Sequence, residues 1–415
     1  MSRKTLVFLS FMLLGVLCAQ AQRTLMSPYS RYGYGILESA SMGGAQAMGG
    51  LGYGLYSGKY INQMNPAAYS AVDSLTFMME LGVSGGVQTL TVGQARSNQF
   101  NGSLDYVAFQ FPLAKWAGMS FGLSPYSSVG YEYSTSERQA VYRQNDSVRV
   151  QQAFDGEGGL SQVDLGVSFD IADRLALGVN ARYFFGKIAH SRTVTFPDEV
   201  LYVNTDQTTR FNVNAFACDL GVQYHQPIAQ KDQLTLGLAY AFKLPMKVTG
   251  QTTTITNDTL YSEPVGQCDF PQTIGVGASY HWRERVLLGV DVSWQQFSAA
   301  RYLGQTQVLR DRIAVAFGGE YVHHYGSKKY HENMRFRLGA NYAGSYVDVR
   351  QSPYREFAVT MGVGFPIPNS RTILNFRFEY GRRATLVAGD LSEDRFEFGL
   401  GVSLNEMWFM KRKIK

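Results

Sequence analysis

From Leu75 to Leu404 apolar and polar side chains alternate again and again, and that two-residue period leaves only strands with two different faces. Leu75, Phe77, Met79, Leu81 and Val83 oppose Thr76, Glu80, Gly82 and Ser84. The same split returns at Val163–Phe169, Leu175–Tyr183, Val286–Trp294, Phe336–Tyr342, Leu374–Tyr380 and Phe396–Leu404. One face suits lipid and the other suits water, as in a transmembrane barrel. Beyond Leu17 no apolar run reaches the roughly 18 residues that a membrane-crossing helix needs. Counting the alternating segments predicts an all-β outer-membrane β-barrel of about 14 antiparallel strands, an even number as bacterial single-chain barrels have.

Asn62 to Tyr69 divides this region from a different kind of sequence. Upstream, Gly, Ser, Met and Tyr recur without a period, as in Gly49-Gly50-Leu51-Gly52-Tyr53-Gly54, and a segment so rich in glycine does not fold alone. The expected domains are therefore a signal peptide over 1–21, an N-terminal hatch or plug over 22–73, the barrel over 74–406 and a basic periplasmic tail over 407–415. Arg3 and Lys4, the apolar run Leu6–Leu17 and Ala19-Gln20-Ala21 have the three-part layout of a secretory signal. The expected location is the bacterial outer membrane.

Connection lengths alternate, which fits short periplasmic turns and longer outside loops. Ala114–Ala117, Ala172–Asp173, Arg283–Glu284 and Pro368–Ser370 read as short. Thr91–Asn101, Ser136–Asp146, Gln251–Asp269 and Arg383–Glu393 read as long. Trp116, Trp282 and Trp408 fall at the short-turn ends, where amphipathic rings favour the membrane interface.

The residues offer no catalytic constellation, and neither a metal nor a cofactor is expected. The six histidines lack chelating spacing, and His323-His324 face opposite ways in a strand. A net charge of +5 spread along the chain argues against nucleic-acid binding. The expected polar lining of the lumen includes Glu80, Asp164, Arg182, Arg335, Arg337, Arg377 and Glu379, charges of both signs that one another and a plug can satisfy. Arg335, Arg337, Arg377 and Glu379 are expected to hold the plug. Cys218 and Cys268 are expected to stay unbridged.

Strand three carries Met119, Phe121 and Leu123 on one face and then meets Ser124-Pro125-Tyr126. Proline has no N–H for a neighbouring strand, and a closed barrel has no edge on which to place it, so a bulge or an opening is required nearby. Two readings stay open: a bulge beyond the membrane, or a lateral opening at Ser124, Pro125 and Tyr126 reached by a hatch turn at Asn65, Pro66 and Ala67.

Asn65-Pro66-Ala67 after a glycine-rich segment, with Ser27-Pro28-Tyr29-Ser30-Arg31-Tyr32-Gly33, Gly158–Val163 and the C-terminal Leu404-Asn405 and Trp408-Phe409, resembles the FadL and TodX family of outer-membrane transport proteins, more closely its PorV-like branch. The resemblance covers almost the whole mature chain. It implies passage of hydrophobic small molecules, fatty-acid-like or aromatic, with lateral exit to the bilayer; the partners are then the bilayer and a hydrophobic ligand, detergent or lipid in the lumen. The alternative is an accessory barrel of a larger outer-membrane secretion or assembly complex, with other outer-membrane proteins as partners. An enzyme is not expected.

Overall fold

The computed structural model describes residues 26–407 apart from 142–145, 173, 198–201, 258, 350–351, 369, 386 and 388–389. The signal segment, most of the basic tail and Trp408 lie outside the described residues.

The chain forms a closed antiparallel barrel of 14 strands with almost no helix. In chain order they are β1 (Thr76–Val92), β2 (Ala95–Ala114), β3 (Ala117–Val141), β4 (Asp146–Ala172), β5 (Leu175–Thr195) and β6 (Thr205–Ala229). Strand β7 has two parts, Asp232–Ala241 and Pro245–Thr256, and β8 has three, Thr259–Pro264, Cys268–Asp269 and Gln272–Trp282. The wall continues through β9 (Val286–Gln296), β10 (Arg312–Val322), β11 (Arg335–Val349), β12 (Ser352–Pro366), β13 (Ile373–Thr385) and β14 (Ser392–Met407). Pairing of β14 with β1, as at Phe398 with Gly85, closes the ring.

The alternation in the sequence becomes inside and outside. Phe317, Leu338 and Phe398 are 59%, 61% and 64% exposed on the outer surface, where lipid covers them. Their neighbours Glu320, Arg337 and Glu397 are buried inside. Short turns connect the strands at one end, the periplasmic end in this class of barrel. At one of them Arg283 and Glu284 both take positive φ, 49° and 57°, the twist that matches a two-residue hairpin. Trp116 and Trp282 are exposed at this end.

The other end differs from the sequence reading. Residues 91–101 are strand interrupted only at Gly93-Gln94, and 251–269 are mostly a second hairpin of the wall. These strands extend beyond the bilayer, where both faces meet water and the alternation that marks a strand fades. Residues 323–334 depart in the opposite sense, forming a folded connection rather than a tight turn at the periplasmic end.

The segment from Met26 to Val72 lies within the lumen. Its short 3₁₀ turns, Gly43–Met48 and Pro66–Ala71, touch the wall on opposite sides, the first on β10–β14 and the second on β3–β6. Tyr29, Tyr34, Met42, Met48, Leu51 and Tyr69 are almost wholly buried there. Cys218 and Cys268 are both free thiols.

Candidate functional site in the barrel lumen

Going inward from the outer end, the lumen holds an aromatic layer, a cavity and a hydrogen-bonded floor. In the aromatic layer, Tyr29 and Tyr34 meet Phe297, Tyr346 and Tyr354. Ring centroids lie 4.7 Å apart for Tyr29–Tyr354 and 4.6 Å for Phe297–Tyr346. The Tyr34 amide donates to Tyr346 Oη at 2.9 Å, while Ser27 Oγ donates to Glu393 and Tyr29 Oη to the Leu391 carbonyl. Cys268 is buried in the same layer and its Sγ accepts from the Leu303 amide at 3.3 Å.

The floor is built on main-chain groups. Asp291 on β9 accepts from the amides of Gly52, Tyr53 and Gly54 at 2.6, 2.9 and 3.3 Å. Gln223 donates to the carbonyls of Tyr53 and Leu55, both at 3.1 Å. Ser279 donates to the Gly54 carbonyl, and Gln110 to that of Tyr69. These polar side chains replace the water that an irregular buried backbone would otherwise need.

Asn65, Pro66 and Ala67 belong to this floor. Asn65 starts the Pro66–Ala71 turn: its Oδ1 accepts from the Ala67 amide at 3.1 Å, and its Nδ2 donates to the Tyr53 carbonyl at 2.9 Å. Pro66 lies against Gly178 and Gly221, and a Cβ on Gly178 would overlap the Pro66 carbonyl. Asn65 and Pro66 therefore seat on the glycines of β5–β7, because only glycines there let the two backbones approach. Ile36 and Leu37 are the part of the N-terminal segment beside Pro125: they pair with Ser128 and Ser127 of β3. The Glu38 amide donates to the Tyr126 carbonyl at 2.9 Å.

At Ser124, Pro125 and Tyr126 the wall has two irregularities. On the β4 side Pro125 pairs with Ser161 and Ser127 with Leu160, so Tyr126 is an extra residue in a bulge. On the β2 side the ladder with β3 begins at Ala114–Ala117 and ends at Val107–Leu123. Ser124 Oγ accepts from Gln162 at 3.2 Å, and the Tyr126 ring packs edge-on against Phe184 and Phe270, 5.0 and 5.9 Å between centroids.

The charged lining forms wall-to-wall clusters. Arg182 lies between Asp164 and Asp219, 2.8 and 2.7 Å away, and also donates to the Gln63 carbonyl. Glu320 receives Arg335 at 2.9 Å and Arg337 at 2.8 Å. Arg377 meets Glu379 at 2.7 Å, Glu397 at 2.5 Å and Asp105 at 3.4 Å. Glu80 accepts from Ser403 at 2.9 Å and sits beneath Gly43.

The expectation that Arg335, Arg337, Arg377 and Glu379 hold the N-terminal segment therefore needs correction. Their ion pairs run within the wall, along β13 and from strand to strand, because nearby inward carboxylates satisfy a guanidinium better than a backbone carbonyl can. Asp291, Gln223 and Gln110 hold the segment instead. Alternation marks them as inward, but nothing local in the sequence marks them as partners of amides and carbonyls far away in the chain.

A cavity of about 320 Å³ remains between these layers. Pro125, Tyr126, Phe184 and Phe270 line one side of it, and Glu356, Arg377, Arg383 and Glu397 the other. Arg383 is itself paired with Glu393 at 2.8 Å.

A closed 14-strand wall, an apolar belt and a chain-filled lumen define an outer-membrane barrel of the hydrophobic-compound-channel fold. Solved structures of this fold align over nearly their whole length. A Pseudomonas aeruginosa FadL homologue matches with a TM-score of 0.60 at 14% identity, covering 90% of this chain and 99% of that one. The CymD monoaromatic hydrocarbon channel gives 0.57 at 12%, with 90% and 99% covered. The Ralstonia pickettii toluene transporter TbuX gives 0.54 at 15%, with 89% and 99% covered. At these identities the likeness establishes the fold alone. The BamG family model matches residues 1–415, and the chain belongs to the BamG family. No curated protein matches it significantly.

Proposed function

We propose that this protein is an accessory barrel subunit of an outer-membrane protein assembly or secretion complex, with its N-terminal segment serving as a hatch that stays in place. The observation that carries this reading is the filling of the lumen. Its apolar outer part is occupied by the chain's own aromatic rings, and the remaining cavity is walled on one side by ion pairs. An apolar solute there would have to desolvate charged groups, which costs several kcal/mol per ion. The sequence resemblance to PorV-like barrels favours the same role, and the family name BamG points the same way. The test is solubilisation of native outer membranes in mild detergent, combined with deletion of the gene. The expected result is a stoichiometric complex with another outer-membrane protein, and reduced amounts of other barrels in the deletion strain. A chain that purifies alone, and whose loss leaves the outer-membrane protein profile unchanged, would refute the role.

A second reading is passage of hydrophobic small molecules with lateral exit between β2 and β3. It is favoured by the end of the β2–β3 ladder at Val107–Leu123, which leaves the cavity bordered by Pro125 and Tyr126. Two proteins of the same fold, a monoaromatic hydrocarbon channel and a toluene transporter, agree with it. Under this reading Ser124→Trp blocks uptake of toluene or long-chain fatty acid while the barrel still folds. Uptake equal to that of the wild type would remove the lateral route.

A further inference from the structure

A small pocket at the outer end of the lumen differs from the charged cavity below it. Arg31, from the Ser27–Gly33 run, and Arg192, on β5, both lie over the ring of Phe154, with guanidinium carbons 3.8 and 5.9 Å from its centroid. A pocket of about 170 Å³ borders both arginines and is completed by His190, Ser191, Gln207 and Thr209. Arg31 donates to Tyr133 Oη at 2.9 Å, and Arg192 to Gln152 Oε1 at 3.1 Å. Among the described residues neither is paired with a carboxylate, whereas Arg182, Arg335, Arg377 and Arg383 all are. His190 Nδ1 lies 2.7 Å from Tyr131 Oη, and its buried Nε2 has no hydrogen-bond partner among the described residues.

The rest of the Ser27–Gly33 run is occupied in holding the segment. Ser27 and Tyr29 bond to Glu393 and Leu391, Ser30 bonds to Gly130, and Gly33 lies under the Tyr346 ring with φ at +61°. Arg31 instead lines the pocket. It also anchors the segment to Tyr133 and Phe154, and the N–H groups not used there are what it offers to the pocket.

A guanidinium stacked on an aromatic face keeps its N–H fork free in the ring plane, and such forks match oxyanions. Two forks with the hydroxyl of Thr209 and the amide of Gln207, both on the face that carries His190 and Arg192, offer more donors than a planar carboxylate can use. A tetrahedral oxyanion with three free oxygens can use them. We propose that this pocket binds a phosphate group presented at the outer surface, either a lipid headgroup phosphate or a soluble phosphate ester. This inference does not rest on the assembly role.

The test uses the full mature chain, folded in detergent, titrated with inorganic phosphate at constant ionic strength set by chloride. Saturable binding by calorimetry is expected, and Arg192→Gln or Arg31→Gln should each weaken it about tenfold, as for loss of a charge-assisted hydrogen bond. Arg192 is exposed, so its replacement leaves the fold intact, and gel mobility before and after boiling checks that Arg31→Gln is still folded. Arg31→Lys should also weaken binding, because it keeps the charge and loses the fork. Micelles carrying diphosphoryl lipid A that displace phosphate would identify the headgroup as source, whereas retained phosphate binding would identify a soluble ester. No binding above that of chloride, equal affinity for acetate, or unchanged affinity in the double variant would overturn the proposal.

Discussion

Asp291 and Gly52 meet across the lumen, carboxylate to amide, at 2.6 Å. The same carboxylate takes the next two amides, so one wall residue orders a whole turn of the N-terminal segment. Replacing Asp291 by Ala should leave the barrel closed and loosen that turn, at a cost on the order of 3 kcal/mol. Hydrogen exchange at the amides of Gly52–Gly54 should rise by more than tenfold, and Asp291→Asn, which keeps an acceptor, should restore part of the protection. Unchanged exchange in the alanine variant would show that the turn is held elsewhere.

Glu320 neutralises two buried arginines at once, Arg335 and Arg337. Glu320→Leu should lower the folding free energy by about 3 to 5 kcal/mol, because two desolvated cations lose their partner. The triple variant that also carries Arg335→Met and Arg337→Met should recover most of that loss, since well-packed apolar side chains often replace a buried ion cluster without cost. Urea titrations followed by gel mobility would measure both.

Phe376 faces lipid and Arg377 faces the lumen on the same strand. Alternation alone ranks Phe376→Arg as the more damaging change, at about 2 to 4 kcal/mol near the membrane midplane. With Glu379, Glu397 and Asp105 gathered on one guanidinium, Arg377→Leu should cost as much or more, about 3 to 5 kcal/mol. A folding titration of the two variants side by side decides the order.

Gly178 leaves no space between β5 and the Pro66 carbonyl. Gly178→Leu should displace the Asn65–Ala67 turn while the strand ladder survives, with overpacking worth about 1 to 3 kcal/mol. Protease cutting within 52–67 of the folded, lipid-embedded protein should increase. A digestion pattern identical to the wild type would show that the wall yields instead of the turn.

The sequence by itself determined the barrel and the sidedness of its strands. A period of two is a local property, readable wherever one face meets lipid and the other water, as in Phe396–Leu404 or Val286–Trp294. It faded where strands leave the bilayer, so residues 91–101 and 251–269 look like loops although they are strands. Only the tertiary structure decided which inward charges meet, because the trio Arg377, Glu379 and Glu397 depends on the register between β13 and β14. It also decided how the N-terminal segment is seated. That segment bonds mainly through its backbone, to Asp291 and Gln223 more than 150 residues away, and every residue type except proline has the same amide and carbonyl. Pro125 marked the place of an irregularity, but the side on which the ladder ends was set by Ile36 and Leu37 pairing with β3 beyond it.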